Sequence, residues 1–121
     1  MQMIDTISKT ILVEMPMDSQ EIIEFKELLQ IVAVNAEQVK IEISEERWLS
    51  MGVHLLSALR RMKNGEKLPT VDSFIVEQVS LDMMELSRNI LKQIKTSHDY
   101  SDDDTEAVLL ALHFETAQNS N

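Results

Sequence analysis

Two pairs of residues in this chain have types and spacing that suit phosphoryl chemistry. In "GVHLLSALRR" (52–61), His54 and Arg61 lie seven residues apart, two turns along one helical face. In "DDTEAVLLALHFETAQ" (103–118), Glu106 and His113 repeat that spacing. A neutral imidazole nitrogen attacks a phosphoryl donor, needing little beyond positioning and charge stabilisation. A guanidinium holds phosphate oxygens with its planar fork, and a carboxylate fixes the tautomer of a neighbouring ring. A plainer account competes with this one. Each ring is then a satisfied core imidazole, Arg61 a solvated helix end paired with Glu66, and Glu106 a first-turn acid facing the helix dipole.

Other chemistries fail on composition and spacing. The chain has no Cys, which excludes disulfides and thiolate catalysis. The third histidine, His98, sits in the acidic run "SHDYSDDD", and no fixed ligand spacing joins it to the other two. That run lacks the alternating ligands and central glycine of a calcium loop. There is no glycine-rich phosphate loop and no serine in a nucleophile elbow. The expectation is a protein without enzymatic activity, resident metal or cofactor.

Helices must position the two pairs. "DSQE" (18–21) is a capped start, after which Ile22, Phe25, Leu28, Leu29 and Val32 share a face, predicting a helix over 19–37. Ser44 caps a second helix, which runs to about Asn64, where Gly65 stops it. A short helix is expected over 72–79. Ser80 caps another that turns Met83, Leu86, Ile90, Leu91 and Ile94 inward, and Ser101 with Asp104 opens the last. Residues 107–114 are apolar on nearly every side, which implies burial in a bundle or a subunit interface. "VKIEI" (39–43) alternates with a period of two; it reads as an extended connector that could pair with "ILVEM" (11–15). The fold class is therefore all-α, a compact bundle of about five helices, with residues 1–18 as an N-terminal extension, 19–118 as the domain and 119–121 as a tail.

Charge narrows the partners. The chain of 121 residues fits one domain, and its net charge of −10 repels a phosphate backbone. Its compact basic group, Arg60, Arg61 and Lys63, is too small for a duplex footprint, so direct nucleic-acid binding is not expected. No apolar run reaches membrane-spanning length, and the N-terminus lacks secretory features, so a cytoplasmic location is expected.

The stretches "GVHLLSALRRMKNGEKLP" and "DDTEAVLLALHFETAQ" resemble the PTS-regulation domain (PRD), the helical module through which bacterial sugar phosphotransferase systems control antiterminators and activators. The positions carrying the resemblance are His54, Arg61, Gly65, Glu106, His113, Ala117 and Gln118, with the two histidines 59 residues apart. It extends over roughly 22–118.

The resemblance implies a helical bundle that forms symmetric homodimers, with His54 and His113 as phosphoacceptors near the dimer interface. It implies the histidine-containing phosphocarrier protein and enzyme II components as donors. Two departures stand out. Val53 replaces the acidic residue that often precedes the first histidine, and "KLPT" replaces the usual Asn-Pro after the turn. Other members carry an RNA-binding or helix-turn-helix module, whereas residues 1–18 are too few for one. The expectation is thus a stand-alone regulator whose output domain resides on a separate partner, or else a structural dimer or adaptor derived from the same domain.

Overall fold

Helix-start and helix-stop residues divide the chain much as their chemistry dictates. The computed structural model describes residues 2–66, 68–69, 71–95 and 105–119. Its six helices are α1 (Gln2–Glu14), α2 (Ser19–Gln38), α3 (Glu45–Asn64), α4 (Ser73–Val76), α5 (Leu81–Lys95) and α6 (Thr105–Asn119), and no strand occurs among the described residues. The all-α fold is as expected. Asp18 caps α2 by accepting from the Glu21 amide at 2.8 Å, and Ser44 caps α3 through the Arg47 amide at 3.1 Å. Gly65 ends α3 in the left-handed region at φ 69°, where a side chain would be strained. Ser80 accepts from the Met83 amide at 3.2 Å to open α5. The expected Ser101–Asp104 cap, the His98 loop and the inward orientation of the Ile94 side chain lie outside the described residues.

One core joins α1, α2, α3, α5 and α6. Phe25, Leu29, Val32, Met51, Leu56, Ile90, Leu110 and Phe114 are completely enclosed within it. Core residues recur at helical spacing on each element, so burial of amphipathic faces supplies the drive to assemble. The short α4 contributes no fully buried residue, although its Ile75 is partly buried and packs against the core.

Residues before Ser19 hold more structure than an extension implies. Ile4, Ile7 and Ile11 of α1 are 1–5% exposed and belong to the same core as α2 and α3. Residues 11–14 are therefore helical, which overturns their pairing with 39–43. The connector itself remains irregular, with Lys40 at φ 58°. The reason α1 docks so closely is Gly52 of α3. A Cβ there would lie 2.6 Å from Ile11 Cδ1 and 3.5 Å from Ile7 Cγ2, so a missing side chain makes room for the helix. Ion pairs reinforce these contacts at the surface: Lys26 with Asp5 joins α2 to α1, and Arg60 with Glu21 and Lys63 with Glu24 join α3 to α2.

Candidate functional site

On α3, Arg47, His54 and Arg61 form a partly buried polar stripe, each seven residues from the next. α6 answers with Glu106 and His113. The helices pack so that the N-terminal end of the α3 stripe meets the C-terminal end of the α6 stripe. All five side chains thereby join one network.

At one end, Arg61 donates from Nε to Glu106 Oε2 at 2.7 Å and from Nη2 to Oε1 at 2.9 Å. In the middle, His54 Nε2 lies 3.2 Å from Glu106 Oε1. At the other end, Arg47 Nη1 lies 3.3 Å from His113 Nδ1. The His54 and His113 rings stack between these bonds, their centroids 5.5 Å apart and their planes inclined by 25°.

Charge and burial act in a defined order. Burial by itself would raise the Glu106 carboxyl, but hydrogen bonds from His54 and Arg61, with the Arg61 charge, outweigh it and hold the group down at about 2. Glu106 is therefore an anion that only accepts, and the His54 nitrogen facing it, Nε2, carries a proton. For His113, burial first and then the neighbouring His54 and Arg47 push the ring down to about 4. His113 is neutral near pH 7. Because a guanidinium only donates, the Arg47 contact places the His113 lone pair on Nδ1 and the proton on Nε2.

Neither ring is sealed. His54 and His113 are both half-buried, and with Arg47, Leu109, Leu112 and Thr116 they line an open groove. The two nitrogens of His54 differ: Nδ1 is buried without a hydrogen-bond partner while Nε2 is engaged.

The structure thus brings together all four residues singled out from the sequence, but with altered pairings. Glu106 was expected to orient His113, its neighbour on the same face. It instead crosses to α3, because its carboxylate is drawn to Arg61 and reaches His54 on the way. Arg61 is likewise not a solvated end paired with Glu66; its guanidinium is taken by Glu106, and Glu66 contributes only an amide to the Arg61 carbonyl. Arg47 was missed. The signal was present, since it precedes His54 by the same seven residues that separate His54 from Arg61. Among the described residues, no group of three His, Cys, Asp or Glu is placed to hold a metal ion.

This helical fold with its paired histidines coincides with a family match: the model of the PRD domain matches residues 26–117. The chain belongs to the PRD-domain family. No curated protein and no solved structure gives a significant match. The matched segment includes the whole of the α3 and α6 stripes and leaves α1 outside it. PRD domains are regulatory modules linked to phosphotransferase systems, a role that fits the regulatory function expected from the sequence.

Proposed function

We propose that this PRD domain takes up a phosphoryl group at the His54–His113 pair and thereby reports the state of a sugar phosphotransferase system to a transcriptional regulator. The observation that carries the reading is the stacked pair itself, two imidazoles 5.5 Å apart at an open groove, with the Arg47 guanidinium beside His113 and the Arg61-bound Glu106 carboxylate beside His54. A phosphoryl group adds nearly two negative charges at pH 7. Placed between Arg47 and the anionic Glu106, it attracts the first and repels the second, so occupancy shifts the balance of the α3–α6 contact.

The output is a change in association. The partly buried Leu109 and Leu112 of α6 line the groove beside the rings, and Val53 of α3 is 41% exposed next to His54. These apolar residues suit a second copy of the chain, which would set the histidines of two protomers near one interface. The donor is the histidine-containing phosphocarrier protein or an enzyme II component, and a separate protein supplies the output domain. Direct contact with nucleic acid is not part of this reading, since Arg60, Arg61 and Lys63 are each held by a carboxylate. No helix among the described residues is long and apolar enough to cross a membrane.

A structural clasp is the second reading, and the Arg61–Glu106 pair favours it by tying α3 to α6 without any chemistry. Incubation with enzyme I, phosphocarrier protein and phosphoenolpyruvate separates the two. Phosphoryl uptake predicts an acid-labile label that disappears in the His54→Ala/His113→Ala double variant. No label on the wild-type chain, or an equal label on the double variant, leaves the clasp.

A further inference from the structure

The two arginines that flank the histidine pair are not equivalent. Arg61 commits Nε and Nη2 to the two oxygens of Glu106. Arg47 makes no ion pair among the described residues; its guanidinium meets only the Nδ1 lone pair of His113. It is also the arginine that lines the groove, whereas Arg61 does not. An unpaired guanidinium next to a ring nitrogen that holds a lone pair is the arrangement a transferred phosphoryl group requires. Its oxygens would arrive where the fork already points.

The two rings differ in the same sense. His54 presents its protonated Nε2 to Glu106, and its other nitrogen is enclosed. A phosphoryl group on His54 Nε2 would displace that bond and lie against a carboxylate; on Nδ1 it would have to enter the packed interior. Among the described residues, no carboxylate is bonded to His113. The groups facing it are His54 and Arg47 from α3, with Leu109, Leu112 and Thr116 of its own helix along the groove.

We propose that His113 Nδ1 is the nitrogen that accepts the phosphoryl group and that Arg47, not Arg61, is the residue that binds it. This rests on the phosphoryl-uptake reading above and names the atom and the clamp. The Nδ1 lone pair forms the new N–P bond while the N–P bond of the donor phosphohistidine breaks. The donor ring, protonated on its other nitrogen, takes the electron pair and leaves neutral. The Nε2 proton of His113 stays on the phosphorylated ring until water removes it. Arg47 releases the lone pair and turns its donors onto the phosphoryl oxygens. Arg61 meanwhile keeps Glu106 occupied, and Glu106 holds His54 in place.

The test uses the full chain and two donors: the phosphocarrier system, and phosphoramidate, a small molecule that phosphorylates histidines without a protein. With both, the label is expected on His113 by mass spectrometry and is lost in His113→Asn. Arg47→Gln is expected to lower the labelling rate about tenfold, the worth of one charge-assisted contact. Arg47→Lys, which keeps the charge, should recover most of that rate. Thermal melts confirm that each variant folds. Labelling of Arg47→Gln at the wild-type rate, equal loss in Arg47→Lys and Arg47→Gln, or a label that persists on His54 in His113→Asn overturns the proposal. If phosphoramidate gives the expected pattern and the phosphocarrier system gives none, the donor assignment falls while the roles of His113 and Arg47 stand. Absence of label with both donors overturns both.

Discussion

Arg61 and Glu106, 45 residues apart in the chain, meet through two parallel hydrogen bonds of 2.7 and 2.9 Å that join α3 to α6. Both side chains are largely shielded, at 19% and 11% exposure. The pair does two things at once. It neutralises a cation and an anion that would otherwise be stranded in the helix interface, and it aims one carboxylate oxygen at His54. A bidentate geometry fixes that aim more tightly than a lysine would.

Breaking the pair on one side leaves the other charge shielded and alone. Arg61→Gln or Glu106→Gln should each lower stability by about 2–4 kcal/mol, read from urea unfolding. The double variant Arg61→Met/Glu106→Leu should cost clearly less than the two single losses combined. Additive losses would show that the two groups act independently.

Acid should weaken the fold in two stages. The His113 ring is held down at about 4 against an ordinary 6.5, so the unfolded chain binds the extra proton first. Its contribution is complete above pH 6.5 and is lost as pH falls from there toward 4. Glu106, held at about 2 against 4.5, then contributes a second loss between pH 4.5 and 2. Melting temperature measured against pH should therefore begin to decline near 6.5, and His113→Gln should flatten that upper part alone. An NMR titration of the His113 ring with a midpoint near 6.5 would contradict the assignment.

Close approach of α1 to α3 gives a packing test. Gly52→Leu drives new carbons into Ile11 and should cost about 1–3 kcal/mol or more. Ile11→Ala should return part of that loss in the double variant. Ile7→Ala, at a site only 1% exposed, should cost about 2–4 kcal/mol although it lies outside the matched family segment. A change under about 0.5 kcal/mol at Ile7 would mean that α1 does not stay docked in solution.

Association through the groove predicts that Leu112→Asp weakens self-association by about tenfold or more, measured by sedimentation equilibrium. A wild-type chain that is monomeric at all concentrations, or a variant that associates equally well, removes the second copy from the account.

The boundaries of α2 and α3 were legible because Asp18, Ser44 and Gly65 each act through local backbone chemistry that needs no partner. α1 was harder to see. Its Ile4, Ile7 and Ile11 do recur at helical spacing, but "ILVEM" is rich in β-branched residues and alternates enough to suggest an extended strand. Docking against Gly52 settles the matter, and that contact is tertiary. The site shows the same division. Seven-residue spacing located His54, Arg61, Glu106 and His113, since face-sharing within one helix follows from helical geometry. It could not show that Glu106 turns to Arg61 and His54 rather than to His113, because pairing across helices depends on how α3 and α6 are docked. Arg47 obeys the same spacing from His54, yet it gains meaning only when His113 is placed opposite it.

Phosphoryl uptake at the His54–His113 pair can be read at the atoms concerned by long-range proton–nitrogen NMR of the histidine rings. Spectra of the nitrogen-labelled chain are recorded before and after enzyme I, phosphocarrier protein and phosphoenolpyruvate are added. A proton on His54 Nε2 and a lone pair on His113 Nδ1 are expected beforehand, then a shifted, phosphorus-coupled ring nitrogen in this pair afterwards. Unchanged ring spectra, while the same mixture phosphorylates a control acceptor, would contradict phosphoryl uptake at this pair.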